Sequence, residues 1–278
     1  MIDLLGDPWR LAIERGLGAP TIRVADNLVP MPMFRVGPVR VAYAGFPVGV
    51  GSDALDAVRE MAMRQRASVL RVIRSADDPP LSDTFHRYIQ PSVLIDDLAG
   101  WSPLAHEKAR RTRNRRRRSE VNVRVSDGAD AGAIWALYRS TVERYGGAVR
   151  YSPDYFEFLA SIGVLVAEVA GRVIGFVASG RVGQRAFYLH GAHDPQARAL
   201  YPSDLLFLEM IEQAQAAGAS SFDFLPSPRG QPQLHAYKLS WGGCHRDIAT
   251  DDVPLNALGT AFALAYAVRS AITSWRDP

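Results

Sequence analysis

The sequence predicts an α/β protein in which mixed, mostly antiparallel sheets are flanked by helices. Three observations predict it. Strand and helix signals alternate through the first hundred residues, the run GVLVAEVAGRVIGFVASGRVGQRAFYLHGAHD reads as three successive antiparallel strands, and helix and strand alternate again up to CHRDIAT. With 278 residues, 47% hydrophobic and 22% charged, the chain can build a large core, as one big domain or two small ones.

The elements follow in order. MIDLLGDPWRLAIERG opens with a short helix after Asp7-Pro8, and it lacks the basic start and uninterrupted apolar run of a signal peptide. TIRVAD, VPMPMFRV and PVRVAYAGF are strands, with turns at Gly37-Pro38 and from Phe46 to Gly51. Ser52-Asp53 caps the helix DALDAVREMAMRQRA, whose Leu55, Val58 and Met61 or Met63 fall at helical intervals and belong to the core. The strand SVLRVIR follows. After the proline-rich ADDPPLSD come the strand PSVLIDDL, a helix from Trp101 to Arg118, and the strand VNVRVSD. DAGAIWALYRSTVERYGG is a helix stopped by Gly146-Gly147, and SPDYFEFLASI a short helix capped by Ser152. The three-strand run turns at Ala170-Gly171-Arg172 and at Arg181 to Gln184. PSDLLFLEMIEQAQAAG is a helix, SSFDFLP a strand, PQLHAYKLSWGG a helix ending in glycine, and CHRDIAT a last strand. The final run, Leu255 to Trp275, is long enough to cross a bilayer but is alanine-rich and contains Asn256, Gly259 and Arg269. It reads as a helix packed on the body, with an interfacial membrane helix as the alternative.

Charge is concentrated in one place. KARRTRNRRRR, Lys108 to Arg118, holds eight cationic side chains in eleven residues and no carboxylate, so a formal charge of +3 overall leaves the remainder mildly acidic. On a helix, Lys108, Arg111, Arg115 and Arg118 share a face by 3 and 4 spacing, with Arg110, Arg113 and Arg117 beside it. Two readings are open: a solvated helix whose arginines pair with acidic residues elsewhere, or a surface for a polyanion. Only Lys108 and Lys238 are lysines among 32 basic residues, so the arginine excess reports codon usage as well as chemistry. The single cysteine, Cys244, makes no internal disulfide or cysteine-cluster metal site and fits a reducing cytoplasm.

The order helix, helix, three-strand meander, helix, strand, helix, strand is that of an acyltransferase of the GNAT superfamily. Within it, SVLIDDLAG before KARRTRNRRRRSEVNVRVSDG, YRSTVERYGG ahead of YFEFL, then VAEVAGRVIGFVASG, YLHGAHD, YPSDLLFLEMIEQAQAAGASSFDFLPS and YKLSWGG stand in a familiar order. The series resembles Fem-type transferases, tandem-GNAT proteins that move an amino acid from aminoacyl-tRNA onto a peptidoglycan precursor or another amine. The resemblance covers roughly residues 90 to 245. It implies residues 1–100 as a degenerate first GNAT-like unit, 101–253 as a second unit with the active site, and 254–278 as a helix packed on the body. The coiled-coil arm frequent in peptidoglycan members has no counterpart between Ser126 and Asp223, and compact relatives also act in peptide natural-product biosynthesis, so the acceptor is open.

The resemblance places Lys238, in AYKLSWGG, at the reaction centre, where an ammonium stabilises an oxyanion or the tRNA terminus; a snorkelling surface lysine is the alternative. Asp223, between Phe222 and Phe224 on a strand, faces the cleft in the family pattern and positions the amine or acts as its base, or else bonds the following loop structurally. Tyr188 and His190 lie on the meander strand that borders the acyl-donor channel. Arg144 and Tyr145 shape the acceptor pocket, Ser227 and Arg229 lie in a loop that reaches substrate, and Tyr237 precedes the lysine. Lys108, Arg111, Arg113, Arg115, Arg116, Arg117 and Arg118 are the expected tRNA contacts.

An acyl-CoA enzyme needs a glycine-rich turn opening a helix to hold the pyrophosphate. The matching stretch here, QARALYPSDL from Gln196 to Leu205, has no glycine, and Pro202 removes an N–H donor. No HExxH, G-x-S-x-G, P-loop or paired cysteines are present, and His190 with His193 is no metal site; no metal and no cofactor are expected beyond aminoacyl-tRNA as co-substrate, with CoA in the alternative. The expectation is a cytoplasmic, monomeric aminoacyltransferase acting on an amine-bearing small molecule or peptide, with no DNA partner and membrane contact only for a lipid-linked acceptor. An acyl-CoA N-acyltransferase of the same fold and a non-catalytic module binding RNA or an anionic surface are the alternatives.

Overall fold

A computed structural model describes residues 1–17, 21–24, 27–47, 49–147, 149–227 and 231–274. In chain order the elements are β1 (Ile2–Asp3), α1 (Asp7–Leu17), β2 (Thr21–Val24), β3 (Asn27–Pro30), β4 (Met33–Val36), β5 (Val39–Ala44), α2 (Leu55–Arg64), β6 (Val69–Ser75), β7 (His86–Ile95), α3 (Glu107–Arg116), β8 (Asn122–Val125), α4 (Ala131–Arg144), α5 (Pro153–Ile162), β9 (Leu165–Val169), β10 (Arg172–Val182), β11 (Arg185–His193), α6 (Pro202–Ala216), β12 (Ser221–Asp223), α7 (Pro232–Leu239), β13 (Cys244–Pro254) and α8 (Ala257–Ser274). This is the mixed α/β architecture expected.

The chain forms two compact units, each discontinuous: Met1–Leu17 with Ser92–Arg246, and Gly18–Pro91 with Asp247–Pro278. The sequence expectation of 1–100, 101–253 and 254–278 divides the chain differently. The physical reason lies in strand pairing. β1 docks in parallel beside Gly180 and Arg181 of β10, which draws the N-terminus into the larger unit, and β13 pairs along β6, which draws the C-terminal strand into the smaller one.

In the larger unit β9, β10 and β11 form the antiparallel meander, β8 pairs antiparallel with β9, and β12 lies parallel to β11 and antiparallel to the end of β7. α6 lies on one face of this sheet. Its Leu205, Leu206, Phe207, Leu208, Met210, Ile211 and Ala214 are buried, because its apolar residues run around most of the helix, as suits a helix covered on several sides. α3 packs on α6 through Ala109 and Thr112. On the other face α4 and α5 bring Tyr155, Phe156 and Leu159 into the interior. α1 closes on α5 where Gly16 meets Tyr155; a Cβ at Gly16 would overlap that ring.

The arginine helix is shorter than the sequence suggests. Residues 101–106 are not helical: Trp101 is buried with its indole Nε1 donating to the Trp241 carbonyl (2.8 Å), a turn spans 103–105, and the helix starts only at Glu107 after the extended His106.

In the smaller unit β4 and β5 are antiparallel, β5 and β6 are parallel and joined through α2, and β6 and β13 are antiparallel. Two buried carboxylates sit on β13: Asp252 accepts from Arg71 Nε and Nη2 at 2.6 and 2.7 Å, and Asp251 faces Arg87 and Arg74 at 3.6 and 3.8 Å. α8 packs on β5 and β6, and Gly259 allows its backbone to approach the Ser68 carbonyl, which any Cβ would strike. No helix among the described residues is long and apolar enough to cross a membrane. Trp275 lies outside the described residues.

Candidate active site

The site forms where β11 and β12 part. The two strands pair only from Arg185–Phe187 against Ser221–Asp223. Beyond that, the Phe224 N–H bonds the Val93 carbonyl (2.9 Å) and the chain turns at Leu225, whose φ of +59° is left-handed, while β11 continues along β10 to His193. Next to the fork β11 has one residue more than β10: Ala178 pairs with His190 and Ser179 with Tyr188, leaving Leu189 without a register partner. A bulge of this kind re-aims side chains. Tyr188 therefore packs on Phe207 of α6, ring centres 5.0 Å apart, whereas His190 turns to α5 and bonds Tyr155 Oη through Nε2 (2.7 Å).

Lys238 comes to the fork from α7. It is 1% exposed, and its Nζ donates to the carbonyls of Leu225 (2.8 Å) and Pro226 (3.2 Å), leaving one of three N–H groups for another acceptor. Nζ lies 5.9 Å from the centre of the Tyr188 ring. Burial pulls the ammonium's pKa down to about 8, against the nearby Asp223 carboxylate, which favours the charged form. A snorkelling surface lysine is not what the structure shows.

Asp223 is 1% exposed and fully engaged. Oδ1 accepts from the Leu225 N–H (2.7 Å) and Ser92 Oγ (3.3 Å), and Oδ2 accepts from Arg185. Its carboxylate fixes the left-handed turn that presents the Leu225 and Pro226 carbonyls to Lys238. Of the two sequence readings for Asp223, base or loop-bonding carboxylate, the geometry matches the second. Arg185 and Ser92 were missed by sequence reasoning; neither carries a local signal, because they meet Asp223 across 38 and 131 residues.

The arginine helix divides into two faces. On the inner face Lys108 and Arg115 bond Asp204 of α6, and Arg116 bonds Glu209 (3.2 Å) and Glu212 (2.6 Å). Arg111 pairs with Glu107 one turn back. On the outer side Arg110, Arg113 and, just past the helix, Arg117 and Arg118 have no carboxylate partner among the described residues; Arg110, Arg117 and Arg118 are exposed. The reading of arginines paired with acidic residues elsewhere holds for the inner face. Glu209 and Glu212 were not foreseen as partners, because a carboxylate pair one turn apart on a helix reads equally well as a solvated face.

Tyr237 donates from Oη to Asp204 Oδ1 (3.1 Å) and stands beside Lys238. Burial raises its pKa well above the ordinary value, so it remains a phenol. His190 lies among Tyr138, Tyr151, Tyr155 and Phe156, and burial lowers its pKa to about 4, which keeps it neutral. Arg144 and Tyr145 end α4, with Tyr145 64% exposed, so neither joins the fork. Arg144 and Arg198 instead depress the pKa of His193, after the larger effect of its burial; His193 Nδ1 lies 2.8 Å from Ser203 Oγ at the start of α6. Ser227 is buried without a hydroxyl partner among the described residues, and Arg229 lies outside them. A shallow pocket of about 290 Å³, lined by Leu94, Asp96, Trp101, His106 and Cys244 among others, lies off the Lys238 cluster. No group of three metal-ligating side chains occurs among the described residues.

The run from α3 to α7 matches the model of the acetyltransferase (GNAT) domain over residues 105–239. This segment is a GNAT-type domain. Over most of its length the chain superimposes on the C-terminal domain of a putative lysylphosphatidylglycerol synthetase from Agrobacterium fabrum (TM-score 0.61, 16% identity, 92% of this chain and 90% of that one). It also superimposes on FemX (0.59, 15%, 88% and 91%) and on L-PGS from Bacillus licheniformis (0.62, 12%, 95% and 97%). At these identities the likeness is one of fold. No protein of curated function matches the sequence.

Proposed function

We propose that this GNAT-fold acyltransferase transfers an aminoacyl group from aminoacyl-tRNA to an amine, forming an amide. The observation that carries the donor is the outer side of α3 and the turn that follows it, where Arg110, Arg113, Arg117 and Arg118 have no carboxylate partner among the described residues while the inner face is anchored on α6. A fixed helix with unneutralised arginines is suited to a phosphate backbone. The start of α6 supports the same donor, because it opens at Pro202, which lacks an N–H, and without the glycine turn that would hold a pyrophosphate.

In the reaction the acceptor's amine lone pair attacks the ester carbonyl carbon, the tetrahedral oxyanion collapses, the ester C–O bond breaks, and the ribose oxygen leaves with the amine's proton. The Lys238 ammonium, held by two carbonyls with one N–H to give, suits the oxyanion. Asp223 holds the turn that orients Lys238 and takes no proton. The acceptor is an amine of a peptidoglycan precursor or a peptide natural-product intermediate.

The match to a domain described as an acetyltransferase favours a second reading, an acyl-CoA-dependent N-acyltransferase. Binding of charged tRNA, uncharged tRNA and acetyl-CoA across a salt series separates the two. Salt-steep binding that favours charged tRNA is expected. CoA binding with no tRNA preference would overturn the proposal in favour of the second reading. Lys238→Ala that loses transfer at unchanged tRNA affinity marks an enzyme rather than a binding module.

A further inference from the structure

Asp204 is a junction that the proposed chemistry does not use. It is the third residue of α6, its side chain is 8% exposed, and its oxygens are shared by two other helices. Oδ2 accepts from Lys108 Nζ (2.7 Å) and Arg115 Nη1 (3.4 Å) of α3, and Oδ1 accepts from Tyr237 Oη (3.1 Å) of α7. Lys108 Nζ also lies 5.0 Å from the centre of the Tyr237 ring, and the Arg115 guanidinium covers Tyr201 at 3.4 Å. The next residue after Tyr237 is Lys238.

One carboxylate here faces two cations, so the corner keeps a net positive charge. Both cations are within reach of a ligand on α3, their side chains being 28% and 34% exposed. An anion docked on α3 competes with Asp204 for them. As Lys108 and Arg115 turn outward, the Tyr237 hydroxyl becomes the main donor left to a buried carboxylate, and an unpaired buried carboxylate is costly enough to hold that bond firmly. Occupancy of α3 is thereby felt at the residue preceding Lys238.

We infer that Asp204 is a positioning residue that links anion occupancy of α3 to the placement of Tyr237 and Lys238 on α7. The inference rests on the reading of α3 as a polyanion surface and names a coupling that this reading does not itself require.

The test uses the full-length protein with Asp204→Asn, Asp204→Glu and Tyr237→Phe. Two readouts are taken: affinity for uncharged duplex RNA across a salt series, and kcat and KM of aminoacyl transfer. Asp204→Asn frees two cations, so RNA binds more tightly and the log–log salt slope steepens by about 1 to 2, at about 0.9 per added phosphate contact. Transfer kcat falls about tenfold, the scale of one buried hydrogen bond. Asp204→Glu restores both toward wild type, and Tyr237→Phe lowers kcat with the salt slope unchanged. If Asp204→Asn fails to fold, Tyr237→Phe, which leaves both cations on Asp204, tests the inference through kcat alone. Wild-type protein that does not bind RNA sinks the reading of α3 and the inference with it. Wild-type binding together with an unchanged slope in Asp204→Asn, or full kcat in Tyr237→Phe, sinks the inference alone.

Discussion

Lys238→Met keeps the length of the side chain and removes its charge, and the structure sets the size of the effect. The ammonium is 1% exposed, and burial pulls its pKa from the ordinary 10.5 to about 8. Below about pH 8 both folded and unfolded chains carry the proton; above about 10.5 neither does. Between those values the unfolded chain binds a proton that the folded protein has released, so stability rises with pH across this window. At about 1.4 kcal/mol per pH unit, the gain is roughly 3 kcal/mol. Methionine abolishes that gain. Near pH 7 the net change is small, because relief of the buried charge offsets the carbonyls of Leu225 and Pro226 losing their donor, at about 1–3 kcal/mol each. Urea unfolding of both proteins from pH 7 to 10.5 measures the difference directly. The two curves are expected to diverge in favour of the wild type as pH rises, by up to roughly 3 kcal/mol. Curves that stay parallel would refute the argument that Lys238 is a desolvated ammonium.

Three further outcomes are expected. Asp223→Asn lowers stability by about 2–4 kcal/mol in chemical denaturation, because Arg185 and the Leu225 turn lose a buried partner; retained stability with abolished transfer would restore Asp223 as a base. His190→Gln flattens the acid limb of thermal stability: with a folded pKa of about 4, below the usual 6.5, the unfolded state binds the extra proton between these values, and stability falls as pH drops through them in the wild type only. Arg110→Ala with Arg117→Ala reduces the salt slope of RNA binding by about 2 at unchanged melting temperature, whereas Arg116→Ala lowers melting temperature at unchanged slope, since Arg116 is held by Glu209 and Glu212.

The element order was legible because it rests on local periodicity. The meander strands, the Ser152 cap, which accepts from the Tyr155 N–H, and the glycine stop after α4 are each written in a few neighbouring residues. Lys238 was legible through the resemblance alone; its short motif says nothing of the Leu225 and Pro226 carbonyls that hold it. Where local reading failed, a distant contact decided. Trp101 looks like the start of a helix, yet its indole is claimed by the Trp241 carbonyl. The strand-period argument puts Tyr188 and His190 on one face, and the extra residue at Leu189 separates them.

By itself the sequence determined the mixed α/β class, the order of its strands and helices, and the presence of a dense cationic segment, because composition and short-range periodicity carry those properties. Only the tertiary structure decided which arginines are neutralised, that Asp223 is a bonded strut, and that Asp204 joins three helices. Those properties depend on which charges meet across tens of residues, and a carboxylate's role is set by the partners that folding brings to it.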